Sequence, residues 1–228
     1  MTLASRLKSP KLRIAAAAAA LAILGTATSC AVYNFETPVG FAPGTTAGQR
    51  NELQRTTPRP QLRPDSDHVW VEAARTYDVP PDEFWRVFRG MALDELVEPN
   101  GELPAIVNVV PLEGQWHHPN ARRRVELADG HSVIEQLLTF DAPRGFTYIL
   151  WNFTSEARHG VEYATGRWYV TPVPEGTHVL WRYGLAPRSG LTRGPVADFA
   201  SGTFLPFMQA GLENIAEAIE AKPSAAGP

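Results

Sequence analysis

The sequence predicts an α+β fold: a curved antiparallel sheet of about seven strands wrapped around a long C-terminal helix, with two short helices after the first strand. Three observations carry this. Arg122-Arg123-Arg124-Val125-Glu126-Leu127 and Ser132-Val133-Ile134-Glu135-Gln136-Leu137 are strand-like runs joined through Asp129-Gly130, where glycine takes the positive φ that a tight hairpin needs. More period-2 runs follow at short intervals up to Leu185. Beyond them Phe204, Met208, Leu212, Ile215 and Ile219 recur at steps of three or four and mark the apolar stripe of a helix. A meander closed by such a helix encloses space, so the sequence points to a pocket before it points to a reaction.

A chain of 228 residues has room for one domain with appendages, and 44% apolar residues suffice for its core. Arg6, Lys8, Lys11 and Arg13 precede the first apolar run, and without these four charges the net charge falls from −3 to −7. A mildly acidic body lacks the basic face that phosphate binding requires, so no nucleic-acid partner is expected. Cys30 is the only cysteine, which excludes an internal disulfide, a CxxC redox pair and a multi-cysteine metal site.

Residues 14–29 are apolar or small and follow the basic stretch, which is the plan of a signal peptide over residues 1–29. The run is short for a membrane-spanning helix, which needs about 20 residues. Ala27-Thr28-Ser29-Cys30 resembles the lipobox of bacterial lipoproteins, although a larger aliphatic residue is usual where Ala27 stands. The resemblance implies lipidation of Cys30 and an exported protein anchored to a membrane of the cell envelope. An uncleaved anchor and ordinary signal cleavage are the alternatives. Residues 30–66 hold Pro38, Pro43, Pro58, Pro60 and Pro64 and show neither helical nor strand period, so they read as an extended, flexible linker. A loop packed on the domain is the alternative around Val32-Tyr33-Asn34-Phe35.

The folded domain is expected over 67–222, with a tail at 223–228. Residues 68–79 alternate as a first strand. Pro80-Pro81-Asp82-Glu83 starts a helix, because proline is tolerated in the first turn and acids suit the positive end of the dipole; Phe84, Val87, Phe88 and Met91 give it a buried face. A second short helix is expected over 93–97 and a turn at Asn100-Gly101. The remaining strands fall at 105–112, on either side of Asp129-Gly130, at 145–153, at 161–173 and at 177–185. The closing helix is expected over 196–221, with Gly211 allowing close approach to the sheet and Pro206 kinking it near residues 202–205.

This order of elements, with Val79-Pro80-Pro81-Asp82-Glu83-Phe84-Trp85, Gly166-Arg167-Trp168-Tyr169-Val170 and Gly176-Thr177-His178-Val179-Leu180-Trp181-Arg182-Tyr183, resembles the helix-grip fold of the SRPBCC/START-like superfamily. The nearest branch is that of polyketide cyclases/dehydrases and lipid transport. The resemblance covers about residues 67–221 and implies a ligand cavity between the concave sheet face and the long helix. Strand parity then sorts the lining: Arg123, Val125 and Leu127; Val133, Glu135 and Leu137; Phe146, Tyr148, Leu150 and Asn152; Val179, Trp181 and Tyr183. Related receptors carry lining groups at the places matching Arg123, Glu135, Tyr163, Trp181 and Tyr183, and Phe204 and Met208 are added from the helix. Tyr163 and Trp168 have opposite parity, so both line the pocket only with a bulge. Arg123 and Glu135 pair either inside the cavity or as an ordinary cross-strand pair in solvent.

The expected ligand-binding set is thus Arg123, Glu135, Tyr148, Asn152, Tyr163, Trp181, Tyr183, Phe204 and Met208, an aromatic pocket with few polar groups, as small-molecule sites are. A cyclase or aromatase would need a base beside an enolisable carbon; Glu135 would serve, with Arg123 stabilising an enolate and Tyr148 or Tyr163 donating a proton. No spacing signature supports that chemistry, and GxSxG, P-loop and GxGxxG motifs are absent. His117-His118 and His159 lie in loops without metal-ligand spacing, so no metal and no cofactor are expected. The favoured reading is non-enzymatic binding or transport of a small hydrophobic, lipid-like or polycyclic molecule. A cyclase-like enzyme and an envelope protein whose cavity is filled by its own side chains are the alternatives. The sequence sets no oligomeric state.

Overall fold

The computed structural model describes residues 39–99 and 103–221. The expected signal segment, Cys30, the expected turn at Asn100-Gly101 and the expected tail at 223–228 lie outside the described residues. The elements are α1 (Ala47–Thr56), β1 (Val69–Tyr77), α2 (Pro81–Phe88), α3 (Leu93–Leu96), β2 (Ile106–Glu113), β3 (Arg122–Leu127), β4 (Ser132–Asp141), β5 (Gly145–Trp151), α4 (Ala157–Gly160), β6 (Val161–Val173), β7 (Gly176–Pro187), α5 (Gly190–Phe199) and α6 (Leu205–Ala221). Each strand pairs antiparallel with its neighbours in the order β1-β7-β6-β5-β4-β3-β2. The α+β helix-grip arrangement expected from the sequence is the one observed: the sheet curls around the C-terminal helix.

The local chemistry explains these elements. At the β3–β4 turn Gly130 has φ of 82°, and Leu127 N–H donates to His131 O at 2.8 Å, closing the hairpin. Pro81 opens α2, and Phe84 and Val87 on its inner face are fully buried. A side chain on Gly211 would crowd the Leu96 carbonyl at 3.1 Å and Trp181 at 3.4 Å, so its absence lets α6 close on α3 and the sheet.

The closing helix differs from expectation at its start and at its proline. It begins at Gly190, where Ser189 N–H donates to Thr192 Oγ1 at 3.1 Å, six residues before the expected start. At the place of the expected kink lies a π-helical turn, Ala200–Phe204, in which Leu205 N–H reaches back to Ala200 O. A widened turn removes the need for the N–H that Pro206 lacks, and the helix continues. The four-residue α4 between β5 and β6 was not expected; it carries His159, read from the sequence as a loop residue.

The largest departure is the stretch read as a flexible linker. Its described part, residues 39–66, forms α1 and then a strap that crosses the convex face of the sheet and runs on to His68. Val39 N–H donates to Gly130 O at 3.1 Å. Thr46 and Gln49 make a capping box at the start of α1. Arg122 Nη1 donates to the carbonyls of Gln54, Arg55 and Thr57, satisfying the open C-terminal end of α1. Arg124 Nη1 donates to Asn51 and Gln54 at 2.9 and 3.1 Å. The strap then crosses β6, where Arg63 N–H donates to Tyr163 Oη at 2.6 Å, and ends in an ion pair of Asp65 with Arg167. Pairing along the seam under it is incomplete, since Gln54 Nε2, Arg63 Nε and Trp151 Nε1 are buried without partners among the described residues.

His68 closes the strap and makes it sensitive to acid. The residue is 3% exposed, its Nδ1 lies 3.0 Å from Pro64 O, and Nε2 has no partner among the described residues. Burial first, with Arg63 and Arg167 adding to it, holds the His68 pKa below the usual histidine range, against the opposing pull of the Pro64 carbonyl and Asp65. The unfolded chain therefore takes up the proton first, from about pH 6.5 downward, and the stability contributed by this ring is present above that pH and lost as pH falls through the folded pKa. The urea midpoint should fall between about pH 7 and pH 5, and His68→Phe should flatten that dependence.

Candidate functional site

A cavity of about 250 Å³ lies between the concave sheet face and the helices. Strand alternation brings its lining together: Arg123, Val125 and Leu127 from β3, Val133 and Glu135 from β4, Phe146, Tyr148 and Leu150 from β5, Trp168 from β6, and Trp181 and Tyr183 from β7. Phe204 and Phe207 face it from the closing helix, Leu96 and Val97 from the end of α3, and Phe88 from α2. The volume is just below the ~300–1,000 Å³ of typical ligand sites, which suits a small molecule better than a two-chain lipid.

One wall is a bank of rings. Trp168 and Trp181 stack with centroids 4.7 Å apart, Phe146 lies 5.5 Å from Trp168, and Phe88 lies 5.0 Å from it. Direct cross-strand pairing produces this bank, since Trp168 is opposite both Phe146 and Trp181. Tyr148, Gly166 and Tyr183 form the next row across β5, β6 and β7. A Cβ on Gly166 would overlap the Tyr148 ring, so the glycine supplies the room in which that phenol lies. Trp181 Nε1 donates to Tyr148 Oη at 3.1 Å.

The polar groups gather near this row. Arg123 Nε donates to Glu135 Oε2 at 2.5 Å, and both side chains are largely buried, 14% and 6% exposed. The guanidinium carbon stands 3.5 Å above the Trp116 ring. The pair therefore faces inward. Burial, with Glu135 nearby, pushes the Tyr148 and Tyr183 hydroxyls well above the usual phenol range, so both remain protonated. His117, at the rim, is held below the usual histidine range by burial and then by Arg89 and Arg123.

Of the residues singled out from the sequence, Arg123, Glu135, Tyr148, Trp181, Tyr183 and Phe204 meet on the cavity lining. Three do not. Tyr163 is fully buried on the opposite face, beside Ile134, Ile149 and Trp151, with its hydroxyl under the strap. The β5–β6 register runs unbroken from Tyr169 to Tyr163, which sits opposite Trp151, and the one irregularity of β6 against β7 lies at Val161/Tyr163, outside the stretch between Tyr163 and Trp168; their opposite parity therefore holds, and of the two only Trp168 lines the cavity. Asn152 is exposed with φ of 57°, just beyond the end of β5. Met208 is fully buried in the core of α6 without lining the cavity. Sequence reasoning did not place Trp116 or His117 in the site; both lie in the β2–β3 loop, as read for His117, and yet line the cavity. A tryptophan in an otherwise polar loop was the available signal. Among the described residues no group of three or more His, Cys, Asp or Glu is placed to hold a metal ion, and no helix is long and apolar enough to cross a membrane.

Among solved structures, that of Ara h 8.0201 is similar at 15% identity and a TM-score of 0.49, over 67% of this chain and 98% of that one. A putative uncharacterised protein from Rhizobium leguminosarum is similar at 17% identity and 0.48, over 68% and 96%. A protein from Thermus thermophilus is similar at 16% identity and 0.48, over 67% and 97%. Likenesses of this degree carry no argument about function. No match is found among curated proteins. The family model for polyketide cyclase / dehydrase and lipid transport matches residues 68–220, well over half of the sequence and the whole sheet-and-helix unit from β1 to α6. The chain therefore belongs to the polyketide cyclase / dehydrase and lipid transport family.

Proposed function

We propose that the protein binds a small, largely apolar molecule in the cavity and holds or carries it without transforming it. The observation that carries this reading is the cavity itself, lined by an aromatic wall and a single buried ion pair. The lipobox-like Ala27-Thr28-Ser29-Cys30 supports a second part of the proposal, that the protein is exported and fastened to a membrane surface through Cys30. The alternative of a cyclase-like enzyme rests on Glu135, whose Oε2 is tied to Arg123. Under that alternative Glu135→Gln abolishes turnover while binding persists.

Native mass spectrometry of the full-length chain from its producing cells, compared with the denatured mass, tests the binding reading. The expected result is an extra mass of a few hundred daltons or less that is lost on denaturation, the size set by a cavity near the lower limit of small-molecule sites. A bare mass that no added small aromatic compound shifts would mean a core filled by its own side chains.

A further inference from the structure

The hydrogen-bonding groups inside the cavity are unevenly matched. Tyr183 is 6% exposed, its ring packs 4.3 Å from that of Phe204, and its hydroxyl makes no hydrogen bond among the described residues. The oxygen of Tyr148 already accepts from Trp181 Nε1, which leaves its own O–H to donate. Arg123 spends only Nε on Glu135, and its terminal nitrogens have no partner among the described residues. Against these donors stands the one carboxylate of Glu135, with Oε2 occupied. A phenol that lines the cavity without a protein partner has its O–H free to donate to a ligand acceptor.

Charge narrows the ligand further. Arg123 and Glu135 neutralise each other, so the cavity offers no net positive charge. A ligand carboxylate would enter as an uncompensated ion among Val125, Phe146 and Leu150 and would be rejected. The stacked rings of Phe146, Trp168 and Trp181 favour an unsaturated ring over a flexible chain.

We propose that the ligand is a neutral, ring-containing molecule with a carbonyl-type oxygen that accepts from the Tyr183 hydroxyl, and that the self-neutralised Arg123–Glu135 pair makes the cavity reject carboxylates of the same shape. This rests on the binding reading above. Three probes of nearly equal size separate the two claims by titration calorimetry on the full-length chain near pH 7: 2-acetylnaphthalene, 2-ethylnaphthalene and 2-naphthoate. The ketone should bind about tenfold tighter than the hydrocarbon, the effect of one recovered hydrogen bond, and the naphthoate at least about tenfold weaker than the ketone. Tyr183→Phe, which keeps the ring, should bring the ketone down to the level of the hydrocarbon. Equal affinity of ketone and hydrocarbon in the unsubstituted chain, a preference for naphthoate, or a ketone advantage that survives Tyr183→Phe each overturns the proposal while leaving the cavity as a binding site. Failure of all three probes to bind overturns the binding reading, and the ligand class with it.

Discussion

Arg123→Met should lower the free energy of unfolding in urea by about 3–5 kcal/mol, the cost of stranding a buried carboxylate. Glu135 is 6% exposed at its side chain and accepts from Arg123 alone among the described residues, so the variant leaves an ion in the cavity wall with nothing to offset its lost hydration. The stack of Arg123 on Trp116 goes with it. The double variant Arg123→Met with Glu135→Leu should regain most of that loss, because two apolar groups of similar volume need no pairing. A single-variant cost below about 1 kcal/mol would show that the pair behaves like a solvated surface bridge and that water fills this end of the cavity.

Gly166→Ala should be nearly as damaging and should abolish ligand binding. The new methyl would occupy space held by the Tyr148 ring, and Gly166 is hydrogen-bonded into the sheet between β5 and β7, so the backbone has little freedom to retreat. Overpacking of this kind costs about 1–3 kcal/mol. For a domain of this size, that lowers the melting temperature by roughly 2–12 °C. The Tyr148 ring lines the cavity, and displaced into it the ring would consume part of the about 250 Å³ available. Calorimetric melting and binding of 2-acetylnaphthalene to the same preparation check the two effects together. A variant that melts early but still binds the ketone would show that Tyr148 has moved elsewhere.

What was legible in the sequence follows from how each part is held. The meander could be read because period-2 alternation and Asp129-Gly130 are local signals, and parity then placed Arg123, Glu135, Tyr148, Trp181 and Tyr183 on one face. Tyr163 misled because β6 is buried on both faces: Trp168 fills the cavity side, and Tyr163 is covered by the strap on the other. Burial on both faces erases the alternation that parity depends on. The strap itself was missed because polar bonds hold it, notably Arg122 and Arg124 to the end of α1, and such bonds leave no hydrophobic period. The Thr46-Ala47-Gly48-Gln49 capping box was its one local trace. Trp116 and His117 do lie in a loop, but a loop that folds over a cavity mouth contributes to its lining all the same.

The strap also sets a distance. A free tether over residues 31–66 would let the domain wander up to about 120 Å from an anchoring point. Because Val39 is bonded to the tip of the β3–β4 hairpin, only residues 31–39 remain to span the gap, at most about 30 Å when fully drawn out. With a lipid on Cys30, as proposed, the domain would be leashed close to the bilayer with this hairpin nearest the headgroups, and its ligand would be exchanged within a few nanometres of the membrane.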